Sequence, residues 1–279
     1  MVTGNCPSPC LSLGDGQARP SDGCSWVVGH GAVLTRGAPG RYARAMFPDR
    51  RAARLLLGVL AVVAAVHLLT QLIGSSGLAD ATQVLLMPLL AGVLWWQAPA
   101  PRGRLVSLTL VALGFSWLGD TAPKLADGDP AFLLMVGFFL LAQIAYIVAF
   151  LPYRRRSVLH VNRPWLAAYV AVVAALVAAC VGGAADMLVP VLGYGACLGT
   201  MAVLSTGLNP FAAAGGAIFL VSDGLIALDA FVPGFGLPAQ GFWVMATYVG
   251  AQVLLVAGVL RERTDADASP MTTDAARAR

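Results

Sequence analysis

Apolar residues in this chain gather into long runs instead of alternating with polar ones. The runs fall near residues 55–73, 82–97, 105–122, 131–151, 165–182, 187–207, 210–231 and 241–260. Each is close to the roughly 17–25 residues that carry an α-helix across a bilayer. A strand or an amphipathic surface helix would interrupt such runs every second or fourth residue, so the pattern predicts about eight transmembrane helices. The second run is short and carries Pro88, and the sixth and seventh are divided only by the Asn209-Pro210 turn signal.

Arginine decides between seven spans and eight. Lys and Arg collect in short cytoplasmic loops. Arg50, Arg51 and Arg54 precede the first run, Arg102 and Arg104 separate the second and third, Arg154, Arg155, Arg156 and Arg163 separate the fourth and fifth, and Arg261 and Arg263 follow the eighth. The opposite loops hold Asp80, Lys124 with Asp127 and Asp129, Asp186 and Asp229. Eight spans put every arginine cluster on one side, and the expectation is an all-α polytopic bundle with both termini cytoplasmic in a bacterial-type plasma membrane. Trp95, Trp96, Trp117, Trp165 and Trp243 lie near run ends, where aromatic rings settle at the membrane interface.

Composition agrees with lipid as the main solvent, since 58% of the 279 residues are hydrophobic and 11% charged. The formal charge of +4 comes from arginines between runs and forms no basic face, which argues against a nucleic-acid partner. Residues 1–45 are rich in Gly, Pro, Ser and Arg and read as a disordered extension or one preceding a true start at Met46; 46–263 reads as the membrane domain and 264–279 as a polar tail. Cys6, Cys10, Cys24, Cys180 and Cys197, with His30, His67 and His160, show no metal-ligand spacing, so neither a metal nor another cofactor is expected. Cys180 and Cys197 read as small buried thiols. Gly114, Gly137, Gly215 and Gly216 read as points of close helix approach.

Two acids break the apolar runs. Asp120 and Asp223 lie about 23 Å and about 20 Å along their helices from the arginine side, at a rise of 1.5 Å per residue. A charge at mid-membrane costs roughly 3 kcal/mol on insertion scales, so such groups usually face a polar cavity and perform a function. Asp120 has an ordinary alternative in an i, i+4 pair with Lys124. Ser116, Gln143, Tyr146, Ser222, Tyr248 and Gln252 are the other polar residues expected to wall one wet pocket. The same acids would suit a proton-coupled transporter or a lipid-handling protein, or could serve as interhelical glue.

These same residues carry a family resemblance. Phe115-Ser116 with Gly119-Asp120, Ala142-Gln143-Ile144-Ala145-Tyr146, Gly216-Ala217 with Phe219 and Ser222-Asp223, and Thr247-Tyr248 with Ala251-Gln252 follow in order along the chain. Together with Leu86-Met87-Pro88-Leu89-Leu90 they resemble the YhhN family, which includes the TMEM86 lysoplasmalogenases, over roughly residues 55–260. Gln143 stands where the family commonly has histidine, and Gln83 where it commonly has lysine. The resemblance implies hydrolysis of the vinyl ether bond of a lysophospholipid, giving a fatty aldehyde and a glycerophospho-base. Asp120 and Asp223 would then form an acid pair, with Asp223, in the more apolar surroundings, as proton donor.

The topology has a direct check. In a cysteine-free background, cysteines at Arg155 and Arg261 are expected to react with an impermeant thiol reagent from the cytoplasmic face and one at Asp127 from the opposite face. Labelling of Arg261→Cys from outside overturns it.

Overall fold

The computed structural model describes residues 27–28, 32–33, 50–184 and 187–268. Most of the expected extension at 1–45, all of the tail beyond 268 and Asp186 therefore lie outside the described residues. Within the extension, β1 (Val27–Val28) pairs antiparallel with β2 (Ala32–Val33) in a small unit separate from the helical one.

The helical unit consists of eight long helices: α1 (Arg50–Ile73), α2 (Ser76–Gln97), α3 (Arg104–Thr121), α4 (Gly128–Phe150), α5 (Arg163–Ala184), α6 (Leu188–Ser205), α7 (Pro210–Phe231) and α8 (Gln240–Ala268). Each is long and apolar enough to span a membrane, as the run pattern predicts. The second run proves to be a full-length helix that continues through Pro88. It starts six residues before the apolar run because its first turns carry Asp80 and Thr82, which the bundle satisfies. Thr82 Oγ1 donates to the Leu78 carbonyl at 2.7 Å and contacts Nδ1 of buried His67 at 2.9 Å. α8 continues past residue 263, so the start of the expected tail is helical.

The Asn209-Pro210 signal is a true break. Asn209 Oδ1 accepts from the Ala212 backbone N–H at 3.2 Å, capping α7, while Pro210 occupies the first turn, where a missing N–H costs nothing. Asn209 Nδ2 also donates to the Gly258 carbonyl of α8 at 2.8 Å. At the same end Arg156 donates to the Gly207 carbonyl at 3.0 Å and pairs with Glu262 at 2.6 Å, and Arg263 donates to the Pro99 carbonyl at 2.6 Å. The arginines that mark one side in the sequence thus lash four chain segments together at one end of the bundle.

Helices in lipid gain no hydrophobic drive from meeting each other, so close packing must hold them. The α7–α8 seam shows how. A Cβ added at Gly215 would meet the Ala251 carbonyl oxygen at 2.9 Å, and one at Gly258 would meet the Ala212 nitrogen at 2.8 Å. Each helix contributes a glycine to the other's backbone. Gly216 similarly admits Ser205 and Ala202 of α6. Gly114 and Gly137, expected to do the same, face nothing within 4 Å of an added Cβ, because they lie on helix surfaces without a neighbour. Cys180 is buried as expected, whereas Cys197 is only half-buried. Trp95, Trp96, Trp165 and Trp243 are about half exposed, as interface residues would be, but Trp117 turns inward and donates to the Val84 carbonyl at 3.0 Å.

Overpacking a tight seam costs about 1–3 kcal/mol. Gly215→Val and Gly258→Val are each expected to lower the melting temperature of the detergent-solubilised protein, while Gly114→Ala leaves it unchanged; equal effects at all three positions would contradict the seam.

Candidate functional site

Asp120 sits in the last turn of α3 and Asp223 past the middle of α7, and both are buried, at 6% and 7% exposure. α3 and α7 are not close neighbours in the bundle; α8 packs against both, and the two carboxylates reach a common cavity of about 370 Å³. Its walls include Gln83, Lys124, Phe139, Ser222 and Tyr248. Gly119 makes room for this arrangement: a Cβ there would meet the Phe139 ring at 2.8 Å, so glycine beside the aspartate lets α4 close over it.

The Asp120 carboxylate is held from two helices. Tyr248 of α8 donates to Oδ2 at 2.8 Å and Gln83 of α2 donates to Oδ1 at 3.2 Å. Tyr248 is itself fixed by edge-to-face contacts with Phe139, centroids 5.6 Å apart, and Phe219, 5.8 Å apart. The i, i+4 pair with Lys124 does not form. α3 ends at Thr121 and the chain tightens into a 3-10 turn at Ala122–Leu125 around Pro123, which takes Lys124 out of helical register. Lys124 instead pairs with Asp80 and donates to Gln83 Oε1 at 3.0 Å. One glutamine therefore links the cation to Asp120, so the cation that a lysine at 83 would bring is present in the cavity from another position.

Asp223 is held differently. Tyr194 of α6 donates to its Oδ2 at 2.5 Å. Sequence reasoning missed Tyr194. Its signal was a phenol in the interior of an apolar run, at Gly193-Tyr194-Gly195, whose hydroxyl needs a partner when buried. Gln143 is fully buried with its amide directed at both Asp223 and Tyr194, within polar reach of each but short of a well-formed hydrogen bond.

The remaining expected wall residues separate into two groups. Ser222 and Tyr248 line the cavity, and Ser222 Oγ donates to the Val244 carbonyl at 3.1 Å. Ser116, Tyr146 and Gln252 instead form a closed chain behind it. Tyr146 donates to Gln252 Oε1 at 2.6 Å, and Gln252 Nε2 donates to Ser116 Oγ at 3.0 Å, with all three side chains fully buried. This chain joins α3, α4 and α8 beneath Asp120. Among the described residues no group of three or more His, Cys, Asp or Glu side chains converges as a metal site would require.

Fold and cavity together define an integral membrane protein with paired carboxylates enclosed within its spanning helices. The chain belongs to the YhhN family, whose pattern matches residues 78–259. Lysoplasmalogenase TMEM86B of Rattus norvegicus is 32% identical over 176 residues, covering 62% of this chain and 70% of the rat protein. A lysoplasmalogenase of Mycobacterium tuberculosis is 29% identical over 189 residues, covering 62% of this chain and 68% of its own. No solved structure gives a significant match.

Removing one partner from a buried hydrogen bond leaves the other unsatisfied, at a cost of about 1–3 kcal/mol. Tyr146→Phe is expected to lower the melting temperature in detergent, and Tyr146→Phe combined with Gln252→Leu to lower it by less than the sum of the two single changes. Strict additivity would mean that the chain is not coupled.

Proposed function

We propose that this protein hydrolyses the vinyl ether bond of a lysoplasmalogen-like lysophospholipid inside the membrane, releasing a fatty aldehyde and a glycerophospho-base. The family and the names of its relatives supply the reaction class. The observation that carries the mechanism is the unequal hydrogen bonding of two carboxylates on one cavity.

Vinyl ether cleavage starts with a proton delivered to the alkene carbon remote from the oxygen, which turns the ether carbon into an oxocarbenium ion. Water then adds to that carbon, and the hemiacetal collapses to aldehyde and alcohol. Such chemistry needs a proton donor and an anion side by side, and burial disfavours two charges in one place. Asp120 receives an N–H on one oxygen and an O–H on the other, so both its oxygens act as acceptors. This suits the ionised partner, which stabilises the cation. Asp223 receives the Tyr194 hydroxyl on Oδ2, borders the cavity and has the Gln143 amide beside it, and it is the group assigned the proton. Asp223 gives that proton to the carbon and recovers one from the attacking water, so the cycle closes without net proton change. Two carboxyl groups divide their work in this way at the oxocarbenium centre of glycosidases, an analogy of chemistry alone.

Lys124 places a cation at the more open part of the cavity, suited to a lipid phosphate. Ser222 and Tyr248, whose protons go to the Val244 carbonyl and to Asp120, present hydroxyl oxygens that accept from the glycerol.

Asp120→Asn and Asp223→Asn in purified, folded protein are expected to abolish aldehyde release from lysoplasmalogen. Loss of a positioned proton-transfer group typically costs about 100- to 10,000-fold in rate. Tyr194→Phe should lower kcat while leaving KM nearly unchanged. Full activity in either asparagine variant would sink the acid-pair mechanism, and transport across vesicles with no aldehyde formed would replace hydrolysis with translocation.

A further inference from the structure

Asp223 belongs to two chambers. Besides the cavity with Asp120 and Lys124, it borders a small apolar space of about 70 Å³ enclosed by α4, α5, α6 and α7. Met135, Phe139 and Ile226 also line both, so the two spaces meet at the carboxylate. The apolar chamber is walled by side chains such as Phe132, Leu176, Cys180 and Leu198. It in turn shares Val177 and Gly195 with a groove of about 740 Å³ between α5 and α6, whose lining is again almost wholly apolar. Val177 and Gly195 touch and partition the chamber from the groove: a Cβ on Gly195 would lie 3.3 Å from Val177 Cγ2.

The sequence of environments is therefore cation, carboxylate pair, apolar chamber, apolar groove. A single-chain ether phospholipid has the same order: phosphate, glycerol, vinyl ether, hydrocarbon. Its scissile bond sits where polar gives way to apolar, and so does Asp223. A chamber of about 70 Å³ holds only the first few carbons of a chain, so a long chain must continue into the groove.

We propose that the α4–α7 chamber and the α5–α6 groove form the hydrocarbon track of the substrate, with the Gly195–Val177 contact parting to pass the chain and Lys124 as the contact for its phosphate. The lipid then lies across the carboxylate pair in one direction only. The aldehyde product is left with its chain in the groove, where it can pass sideways into the bilayer. This inference rests on the reading that the substrate is a single-chain ether lipid, but it concerns binding pose and not bond cleavage.

The test uses the full-length protein in detergent and an alkyl-ether lysophospholipid bearing a diazirine in mid-chain. Such a lipid lacks the vinyl bond and cannot be turned over by this chemistry, so its crosslinks report pose whether or not the acid-pair mechanism is right. Crosslinks that unlabelled lysolipid competes away are expected on peptides containing Leu176, Val177 and Leu198. Gly195→Leu should reduce them about tenfold, the effect of about 1.4 kcal/mol of lost binding, and Gly195→Ala, whose Cβ only tightens the contact with Val177, should reduce them by less. In parallel, Gly195→Leu should discriminate against long-chain vinyl ether substrates and spare short-chain ones. Competable crosslinks confined to α1 or α2, their complete absence, or a chain-length profile unchanged in Gly195→Leu that retains the wild-type melting temperature would each overturn the track.

Discussion

A polar atom inside a bilayer finds no water to bond with, so each one must be answered by another part of the protein. In this bundle that constraint selects the architecture around the cavity. Asp120 recruits α2 through Gln83 and α8 through Tyr248, while Asp223 recruits α6 through Tyr194. Ser116, Tyr146 and Gln252 tie α3, α4 and α8 together by the same logic. Small residues then permit the approach that these bonds require: Gly119 admits Phe139, and Gly215 and Gly258 let α7 and α8 close. Polar satisfaction specifies which helices meet, and glycine determines how near they come.

Lipid as solvent also explains what was legible in the chain. Span number, order and approximate extent follow from apolar runs, because backbone in lipid must be helical and the membrane fixes helix length. Asp120 and Asp223 were legible for the converse reason, as costly groups in the wrong solvent. Helix adjacency was not. Nothing in the runs tells that α8 packs against both α3 and α7, or that Ser116, Tyr146 and Gln252 close on each other behind the cavity while Ser222 and Tyr248 open onto it. Lys124 was misread for a local reason: the i, i+4 rule assumes a continuous helix, and Pro123 ends it. Tyr194 was overlooked because a tyrosine in an apolar run looks like packing until its hydroxyl is followed to a partner.

Gln143 is the least completely satisfied of the buried polar side chains here. Its amide lies next to Asp223 and Tyr194, and an imperfectly bonded buried amide calls for an explanation. An amide can donate and accept at once but carries no titratable proton. At position 83, by contrast, the glutamine amide is fully used, accepting from Lys124 and donating to Asp120.

The arginine lashing at the far end has a mechanical meaning. Arg156 joins the α4–α5 connection to the α6–α7 connection through the Gly207 carbonyl and to α8 through Glu262, while Asn209 and Arg263 tie the α6–α7 and α2–α3 connections to α8 through backbone carbonyls. The described end nearest the carboxylates has, by contrast, the exposed Lys124–Asp80 pair, a kind of contact that contributes little to stability. Backbone carbonyls left over at helix ends thus become the anchor points of the bundle, and the arginines that mark one end of the chain's runs are also the groups that hold that end together.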